Sequence, residues 1–130
     1  MRRVLLAEDD RHIALLVELA LEEPGVTAVE VVSTGPSALQ RLATGPLPDV
    51  LLLDLMLPGL SGLEVLGRLR ADARTGRLPV LVLSAQARAE DRDEVFRRGA
   101  NAFLAKPFDV DELAQLVGSL VRESSPGGAT

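Results

Sequence analysis

Five short apolar runs, separated by longer amphipathic stretches, constrain the fold of this 130-residue chain more than any other feature. Each run has the length of a strand and is almost continuously hydrophobic, as strands buried on both faces of a sheet are. The runs are Val4–Ala7, Val29–Val32, Val50–Leu53, Val80–Leu83 and Ala102–Leu104. Regular alternation of strands with helical stretches predicts a parallel sheet with helices on both faces.

The intervening stretches carry apolar residues at helical spacing, together with residues that favour helix ends. The expected buried face of the first helix consists of Ile13, Leu16, Val17, Ala20 and Leu21. Asp10 is placed to cap that helix, and Pro36 suits the first turn of the second. Ser61 with Glu64 forms an S-x-x-E capping box, and Gly99 is placed to end the fourth helix.

Composition excludes several classes of protein. The formal net charge of −5 argues against a bare nucleic-acid-binding module, which needs a basic face. The chain has no cysteine, so a disulfide framework, a thiolate metal site and a cysteine nucleophile are excluded. Because no apolar run reaches the length of a membrane span, we expect a cytoplasmic protein that binds no membrane and makes no direct contact with nucleic acid.

Polar side chains follow four of the five runs, at the edge of a parallel sheet where ligands bind. They are Glu8, Asp9, Asp10, Asp54, Ser84 and Lys106. One polar residue there would mark only the end of a strand, but carboxylates gathered at one edge disfavour one another's ionisation. Lys106, the only lysine in the chain, supplies one positive charge. A divalent cation supplies a second, and Mg²⁺ fits because it binds few carboxylates and keeps several waters.

Asp54 differs from the other acids because it directly follows the leucine run Leu51–Leu53. An aspartate at the end of a buried strand is costly unless it has a use, and a carboxylate is a competent nucleophile toward a phosphoryl group. Phosphoryl transfer requires mainly positioning and neutralisation of charge on the moving oxygens. The metal ion, the Lys106 ammonium and the Ser84 hydroxyl can each hold one of those oxygens.

Four motifs follow one another at the ends of the predicted strands. They are LLAEDD, DVLLLDLMLPGLSGLEVL, PVLVLSA and GANAFLAKPF. In this order and spacing, over roughly Arg3 to Val121, the chain resembles the receiver domains of bacterial two-component response regulators, similar to the chemotaxis response regulator. The resemblance implies a (βα)5 fold, a doubly wound, flavodoxin-like α/β structure with five parallel strands in the order 2-1-3-4-5.

The resemblance also implies roles for the residues at the strand ends. Asp54 matches the phosphoacceptor, and Lys106 matches the lysine that contacts the phosphoryl group. Glu8 and Asp9 match the acidic pair that holds Mg²⁺, with Asp9 binding directly and Glu8 through water. Met56 occupies the position whose backbone carbonyl binds the metal.

Two further residues match positions that change when the family is phosphorylated. Ser84 matches the switch hydroxyl, and Phe103 occupies the aromatic switch position, where tyrosine is common. Because Phe103 has no phenol group, any switching there rests on packing alone. The family also implies a cis Lys106–Pro107 bond. Asp10 stays open between a helix cap and a metal ligand, and we favour the cap.

The implied function is acceptance of a phosphoryl group on Asp54 from the phosphohistidine of a partner sensor histidine kinase or phosphotransfer protein. The surface formed by helix 4, strand 5 and helix 5 then changes, and a downstream output domain or partner protein reads it. A phosphorylation-dependent homodimer is a further expectation. The chain is not expected to be an enzyme beyond promoting its own phosphorylation and dephosphorylation.

Two rival functions remain open. The alternative on the same fold is a phosphorylation-independent protein-interaction module, which the intact set of Glu8, Asp9, Asp54, Ser84 and Lys106 argues against. A Mg²⁺-dependent phosphohydrolase with an aspartyl nucleophile generally needs a second acid beside the nucleophile, and Leu55–Leu57 offers none.

The lifetime of the phosphorylated state can also be predicted from the family. The positions that tune hydrolysis lie two residues after the phosphoacceptor and two after the switch hydroxyl, and here they hold Met56 and Gln86. Since an apolar Met56 cannot orient water, we predict slow to moderate loss of phosphate.

The domain boundary is set by composition. We assign residues 1–122 to the receiver domain and residues 123–130, rich in Ser, Pro and Gly, to a flexible C-terminal tail or the start of a linker. The last helix lacks the arginine-rich ending common in receivers of winged-helix transcription factors. This favours a stand-alone receiver, or one from a hybrid kinase or other multidomain regulator.

Overall fold

The computed structural model describes residues 2–124, which alternate between strands and helices. The strands are β1 (Arg2–Ala7), β2 (Thr27–Val32), β3 (Val50–Asp54), β4 (Val80–Ser84) and β5 (Ala102–Ala105). The helices are α1 (Arg11–Leu21), α2 (Gly35–Ala43), α3 (Gly62–Ala71), α4 (Ala89–Arg97) and α5 (Val110–Ser124). Each predicted apolar run lies inside one of these strands, so the predicted alternation is confirmed. Within residues 2–124, no helix combines the length and the apolar character needed to cross a membrane.

The strands form one parallel sheet in the order β2-β1-β3-β4-β5, which confirms the predicted fold class and strand order. The chain passes from β1 outward to β2 and then returns across β1 to β3. This reversal creates a crevice at the carboxyl ends of β1 and β3, the usual position of a ligand site in a doubly wound sheet.

Helices cover both faces of the sheet, and alternate strand residues point into two apolar layers. The layer beneath α1 and α5 contains Val4, Leu6, Leu52, Leu81, Leu83, Leu104, Leu113 and Val117. The layer beneath α2, α3 and α4 contains Leu5, Leu51, Leu53, Val65, Leu66, Val82, Val95 and Phe103. Since β3 and β4 lie between these layers, every residue of both strands is buried, and a polar group at either strand end must find a partner.

Two expectations about burial are wrong. We expected β2 to be buried on both faces, but it is an edge strand, and Val31 is exposed. We expected Leu16 to lie in the buried face of α1, but that face centres on Ala14 and Val17, and Leu16 lies at its exposed margin. Both errors arise because position within the sheet, rather than local periodicity, decides which apolar side chains are covered.

The predicted helix ends are confirmed with one difference in detail. The Asp10 carboxylate accepts hydrogen bonds from two backbone amides of α1, at 2.8 and 3.3 Å. Pro36 lies in the first turn of α2, and Gly99 follows α4 with a φ of +106°. Ser61 accepts from the backbone amide of Glu64 as predicted, but the Glu64 carboxylate accepts from the Ser61 hydroxyl rather than closing a full capping box.

The end of β3 and the start of α3 approach each other closely at Gly62. A Cβ atom at this position would lie 2.5 Å from the carbonyl oxygen of Asp54 and 2.7 Å from the Cα atom of Leu55. The amide of Gly62 donates to the Leu55 carbonyl at 2.9 Å. The absence of a side chain at Gly62 therefore helps to set the position of the backbone that carries Asp54.

We predict that Gly62→Ala lowers the free energy of unfolding by roughly 1–3 kcal/mol, because the added methyl group displaces packed backbone. The matched control is Gly67→Ala in the same helix, where a Cβ atom would meet nothing within 4 Å. That variant should be more stable than the wild type by about 0.5–1 kcal/mol. Urea unfolding measures both, and equal stability of the two variants would contradict the close approach.

Candidate functional site

Side chains from the ends of β1, β3 and β5 converge on one cluster. Carboxylate oxygens of Glu8, Asp9 and Asp54 lie within 4.8 Å of one another. The Lys106 ammonium lies 2.6 Å from Glu8 Oε1 and 3.4 Å from Asp54 Oδ2. The structure therefore brings these four predicted site residues together, from positions up to 98 residues apart in the chain.

Sheet register explains why these side chains meet. Ala7 of β1 is paired with Leu53 of β3, so Glu8 and Asp54 each follow a residue of the same pair. On the other side of β3, Ser84 of β4 is paired with Ala105 of β5, which places Lys106 one residue beyond that pair. The Lys106–Pro107 peptide is cis, as the family resemblance implied.

Two of the carboxylates are buried and have defined hydrogen-bond partners. Glu8 is 2% exposed, and its Oε2 atom accepts from the backbone amide of Asp10 at 3.2 Å. Asp54 is 3% exposed, and its Oδ1 atom accepts from the backbone amide of Met56 at 3.2 Å. Asp9 is exposed at the mouth of the cluster. Glu8 and Asp54 thus form the buried floor of the site, and Asp9 forms its exposed acidic rim.

The electrostatics of the cluster are dominated by desolvation. Burial raises the pKa of Glu8 from 4.5 to about 7, although the hydrogen bond from Lys106 acts in the opposite direction. The neighbouring Asp54 adds to the rise. Burial alone would lower the pKa of Lys106, but its hydrogen bond to Glu8 and the charge of Asp54 outweigh burial and raise that pKa. The Lys106 ammonium alone therefore does not return the pKa of Glu8 to its ordinary value.

The donor set fits a hard divalent cation. Glu8, Asp9 and Asp54 supply only oxygen ligands, which Mg²⁺ prefers, and their three negative charges exceed the single charge of Lys106. Met56 follows Asp54 by two residues with its side chain 61% exposed, so the role predicted for its backbone carbonyl makes no demand on the side chain. Asp10 is directed to the amides of α1, consistent with the preferred cap.

The two predicted switch residues lie on the side of the sheet that faces α4. The Ser84 hydroxyl is buried and bonded to Gln86, accepting from its amide at 2.9 Å and donating to its carbonyl at 3.1 Å. Phe103 is 7% exposed, and the guanidinium carbon of Arg92 lies 5.0 Å from the centroid of its ring.

Sequence reasoning missed two of these contacts. The Glu8–Lys106 ion pair joins the first and last strands of the chain, and the Arg92–Phe103 contact joins α4 to β5. Neither pair has a local spacing signal, because both depend on how distant elements pack. The motif spacing located the four cluster residues, but it did not predict which carboxylate Lys106 approaches more closely.

A groove of about 740 Å³ opens beside the acidic rim, between α1 and the end of β2. Its lining includes Glu8, Asp9, His12 and Leu15, and Leu15 is exposed. The groove therefore reaches the Glu8 and Asp9 side of the cluster along α1.

We predict that Glu8 makes the stability of the metal-free protein depend on pH. Because its pKa is about 7 in the folded chain and 4.5 when unperturbed, the folded state binds more protons between these values, and the free energy of unfolding falls as pH rises through this window. Glu8→Gln removes this loss, so the variant should gain roughly 1–3 kcal/mol relative to wild type between about pH 5 and pH 8. Urea unfolding at both pH values measures the difference, and parallel stability curves would contradict the prediction.

A family model, sequence relatives and solved structures all indicate the same protein family. The sequence model of the response regulator receiver domain matches residues 4–118. The transcriptional regulator RpaA of Synechocystis, described as DNA-binding, is 40% identical over 124 residues, which cover 95% of this chain and 51% of RpaA. The chain thus spans about half the length of the curated relatives it matches.

Solved structures agree with the sequence relatives. The receiver domain of the Francisella response regulator 1452 is 34% identical with a TM-score of 0.87, covering 96% of this chain and 100% of that one. The receiver domain of the sensor histidine kinase PA1611 of Pseudomonas aeruginosa is 30% identical with a TM-score of 0.82, covering 92% and 97%. That structure contains a magnesium ion coordinated in its active site cleft. By strand order, site geometry and sequence, this chain belongs to the response-regulator receiver domain family of two-component signalling.

Proposed function

We propose that Asp54 accepts a phosphoryl group from the phosphohistidine of a partner histidine kinase or phosphotransfer protein. The observation that carries the proposal is a nearly fully buried aspartate at a strand end, 3.4 Å from an ammonium that also pairs with Glu8. The other four residues of β3 are apolar, so the strand itself does not need an ionisable group at its end.

The chemistry follows from the partners of Asp54. A carboxylate oxygen of Asp54 attacks phosphorus in line, the bond from phosphorus to the imidazole nitrogen of the donor breaks, and that nitrogen keeps the electron pair. Lys106, which lies near Asp54 Oδ2, neutralises charge on a phosphoryl oxygen. The backbone amide of Met56 donates to the other carboxylate oxygen, Asp54 Oδ1. That amide holds Asp54 Oδ1 and so fixes the orientation of the attacking carboxylate.

We propose that the resident metal is Mg²⁺, held by Glu8, Asp9, Asp54 and the backbone carbonyl of Met56, with Glu8 contributing through water. When bound, the ion supplies positive charge to the phosphoryl oxygens. Supporting this assignment are the all-oxygen donor set and the magnesium ion of the similar PA1611 receiver.

Signal output is proposed to run through Ser84. Ser84 exchanges its bonds to Gln86 for a contact with the phosphoryl group, and the loop that leads into α4 follows it. The surface formed by α4, β5 and α5 then changes and is read by an output domain or a partner protein, or pairs with a second copy as a homodimer. Phe103 is buried, so inward repacking gives the ring little distance to travel.

The wider context is also proposed. Relatives twice as long include transcriptional regulators, so a DNA-binding output domain is a candidate reader. The sequence of α5 favours a stand-alone receiver, or one from a hybrid kinase or other multidomain regulator. We assign residues 1–122 to the receiver domain. The helix α5 reaches Ser124, and residues 125–130 of the expected tail lie outside the described residues. A cytoplasmic location and no turnover of a separate substrate complete the proposal.

Phosphorylation of Asp54 is tested with acetyl phosphate and Mg²⁺. We predict that the wild type acquires one acid-stable, base-labile phosphoryl group and that Asp54→Asn acquires none, because an amide oxygen is a poor nucleophile. The matched control is Asp49→Asn at the opposite end of β3, where Asp49 only accepts from the amide of Arg3, and it should be labelled like the wild type. Labelling of Asp54→Asn, or an unlabelled wild type, would refute the assignment.

The lifetime of the phosphorylated state is set by the exposed, apolar Met56. We predict a half-life of minutes or longer for the wild type. Met56→Asn, whose amide can orient water, should shorten it roughly 2- to 10-fold, which corresponds to one neutral hydrogen bond in the transition state. Met56→Leu is the apolar control and should leave it unchanged. Release of inorganic phosphate after removal of acetyl phosphate measures the rate, and a wild-type half-life of seconds would contradict the prediction.

A further inference from the structure

Arg92 differs from its neighbouring arginines in its choice of partner. Arg88, Arg97 and Arg98 each form an ion pair with a carboxylate of α4, at distances of 2.8–3.7 Å. Over residues 2–124 Arg92 forms no ion pair, although acidic residues surround it in the helix. Its guanidinium lies instead over the ring of Phe103, with the guanidinium carbon 5.0 Å from the centroid. This distance is within the range of a cation–π contact.

The ring beneath Arg92 lies on the same face of the sheet as the switch hydroxyl. Phe103 is paired with Val82, and Ser84 follows Val82 by two residues on the same strand. Residues two apart on a strand share a face, so Val82, Ser84 and Phe103 all lie on the side of the sheet that α4 covers. Arg92 therefore covers Phe103 on the face of the sheet where Ser84 also lies.

The backbone connects Arg92 to Ser84 through a single short loop. The Ser84 hydroxyl holds the amide and carbonyl of Gln86. Two residues later, the carbonyl of Arg88 accepts from the amide of Arg92 at 3.1 Å in the first turn of α4. Residues 85–88 therefore join Ser84 directly to the helical turn that carries the guanidinium.

We propose that Arg92 and Phe103 form a latch that holds the first turn of α4 against β5 while Ser84 is bonded to Gln86. The proposal rests on the proposed function, because it assumes that Ser84 leaves Gln86 for a phosphoryl group on Asp54. The latch opens as Ser84 moves, so Arg92 is a positioning residue that opposes the phosphorylated conformation. Phe103, which is buried in the sheet-facing layer, is the fixed part, and α4 is the moving part.

The side-chain chemistry suits this role. Phenylalanine has no hydroxyl group that could bond to a neighbour, so the face of its ring is what it offers to the guanidinium. A planar guanidinium stacks on such a face better than an ammonium does. The contact lies at the protein surface, where a cation–π pair is weak enough to break during a conformational change.

The test measures binding of beryllofluoride, a phosphoryl mimic, in the presence of Mg²⁺ by ¹⁹F NMR. Arg92→Gln removes the cation and should bind beryllofluoride roughly 2- to 5-fold more tightly than the wild type, because the latch no longer opposes the conformational change. Arg92→Lys keeps the charge and should fall between the two. The matched control, Arg97→Gln, removes an arginine of the same helix that is paired with Glu94, and its affinity should equal that of the wild type.

A second measurement needs no phosphoryl mimic. In metal-free buffer the unfolding stabilities of Arg92→Gln, Phe103→Leu and the double variant form a cycle, and the double variant should lose less stability than the sum of the single losses. Additive losses would show that the two side chains do not interact and would overturn the latch.

The outcomes separate the two proposals. If the wild type binds beryllofluoride but Arg92→Gln binds it equally or more weakly, the latch is overturned and the phosphoacceptor assignment stands. If the wild type does not bind beryllofluoride, the assignment of Asp54 fails and the coupling to Ser84 fails with it. The metal-free cycle then reports separately whether Arg92 holds Phe103.

Discussion

The position of the Lys106 ammonium is the constraint on which the site depends. It lies 2.6 Å from one buried carboxylate and 3.4 Å from another, and without it two acids of like charge would face each other at the end of a desolvated strand. Burial of this kind normally drives an acid to bind a proton, and it raises the pKa of Glu8 to about 7 although the hydrogen bond from Lys106 acts in the opposite direction. The cluster therefore favours any ligand set that adds positive charge and gives the ammonium a new anionic partner.

The strand that precedes Lys106 also carries Phe103, the predicted aromatic switch residue. Lys106 follows β5, and Phe103 lies within it, three residues earlier and beneath α4. On the adjacent strand Ser84 lies level with Ala105. The cluster at Asp54 and the α4 surface are separated by the ends of two strands and the short loop of residues 85–88. The proposed change of hydrogen-bond partner at Ser84 would therefore act on the loop directly before α4.

The sequence predicted the fold and the membership of the site well because both depend on patterns along the chain. Five apolar runs gave the strands, and polar residues after three of them gave the cluster. The pattern failed where packing between distant elements decides the outcome. Val31 is exposed because β2 lies at the edge of the sheet, and the preference of Lys106 for Glu8 over Asp54 arises from side-chain geometry between strands at opposite ends of the sequence. The contact of Arg92 with Phe103 was hidden in the same way, since no pattern along the chain links a residue of α4 to one of β5.

A crystal structure of the protein with Mg²⁺ and beryllofluoride tests the central claim most directly. The account predicts beryllium bonded to the Asp54 carboxylate and the Lys106 ammonium hydrogen-bonded to a fluorine atom, with its distance to Glu8 Oε1 longer than the present 2.6 Å. Beryllofluoride on a different carboxylate, or a Lys106 ammonium that stays on Glu8 and makes no contact with the adduct, would contradict it.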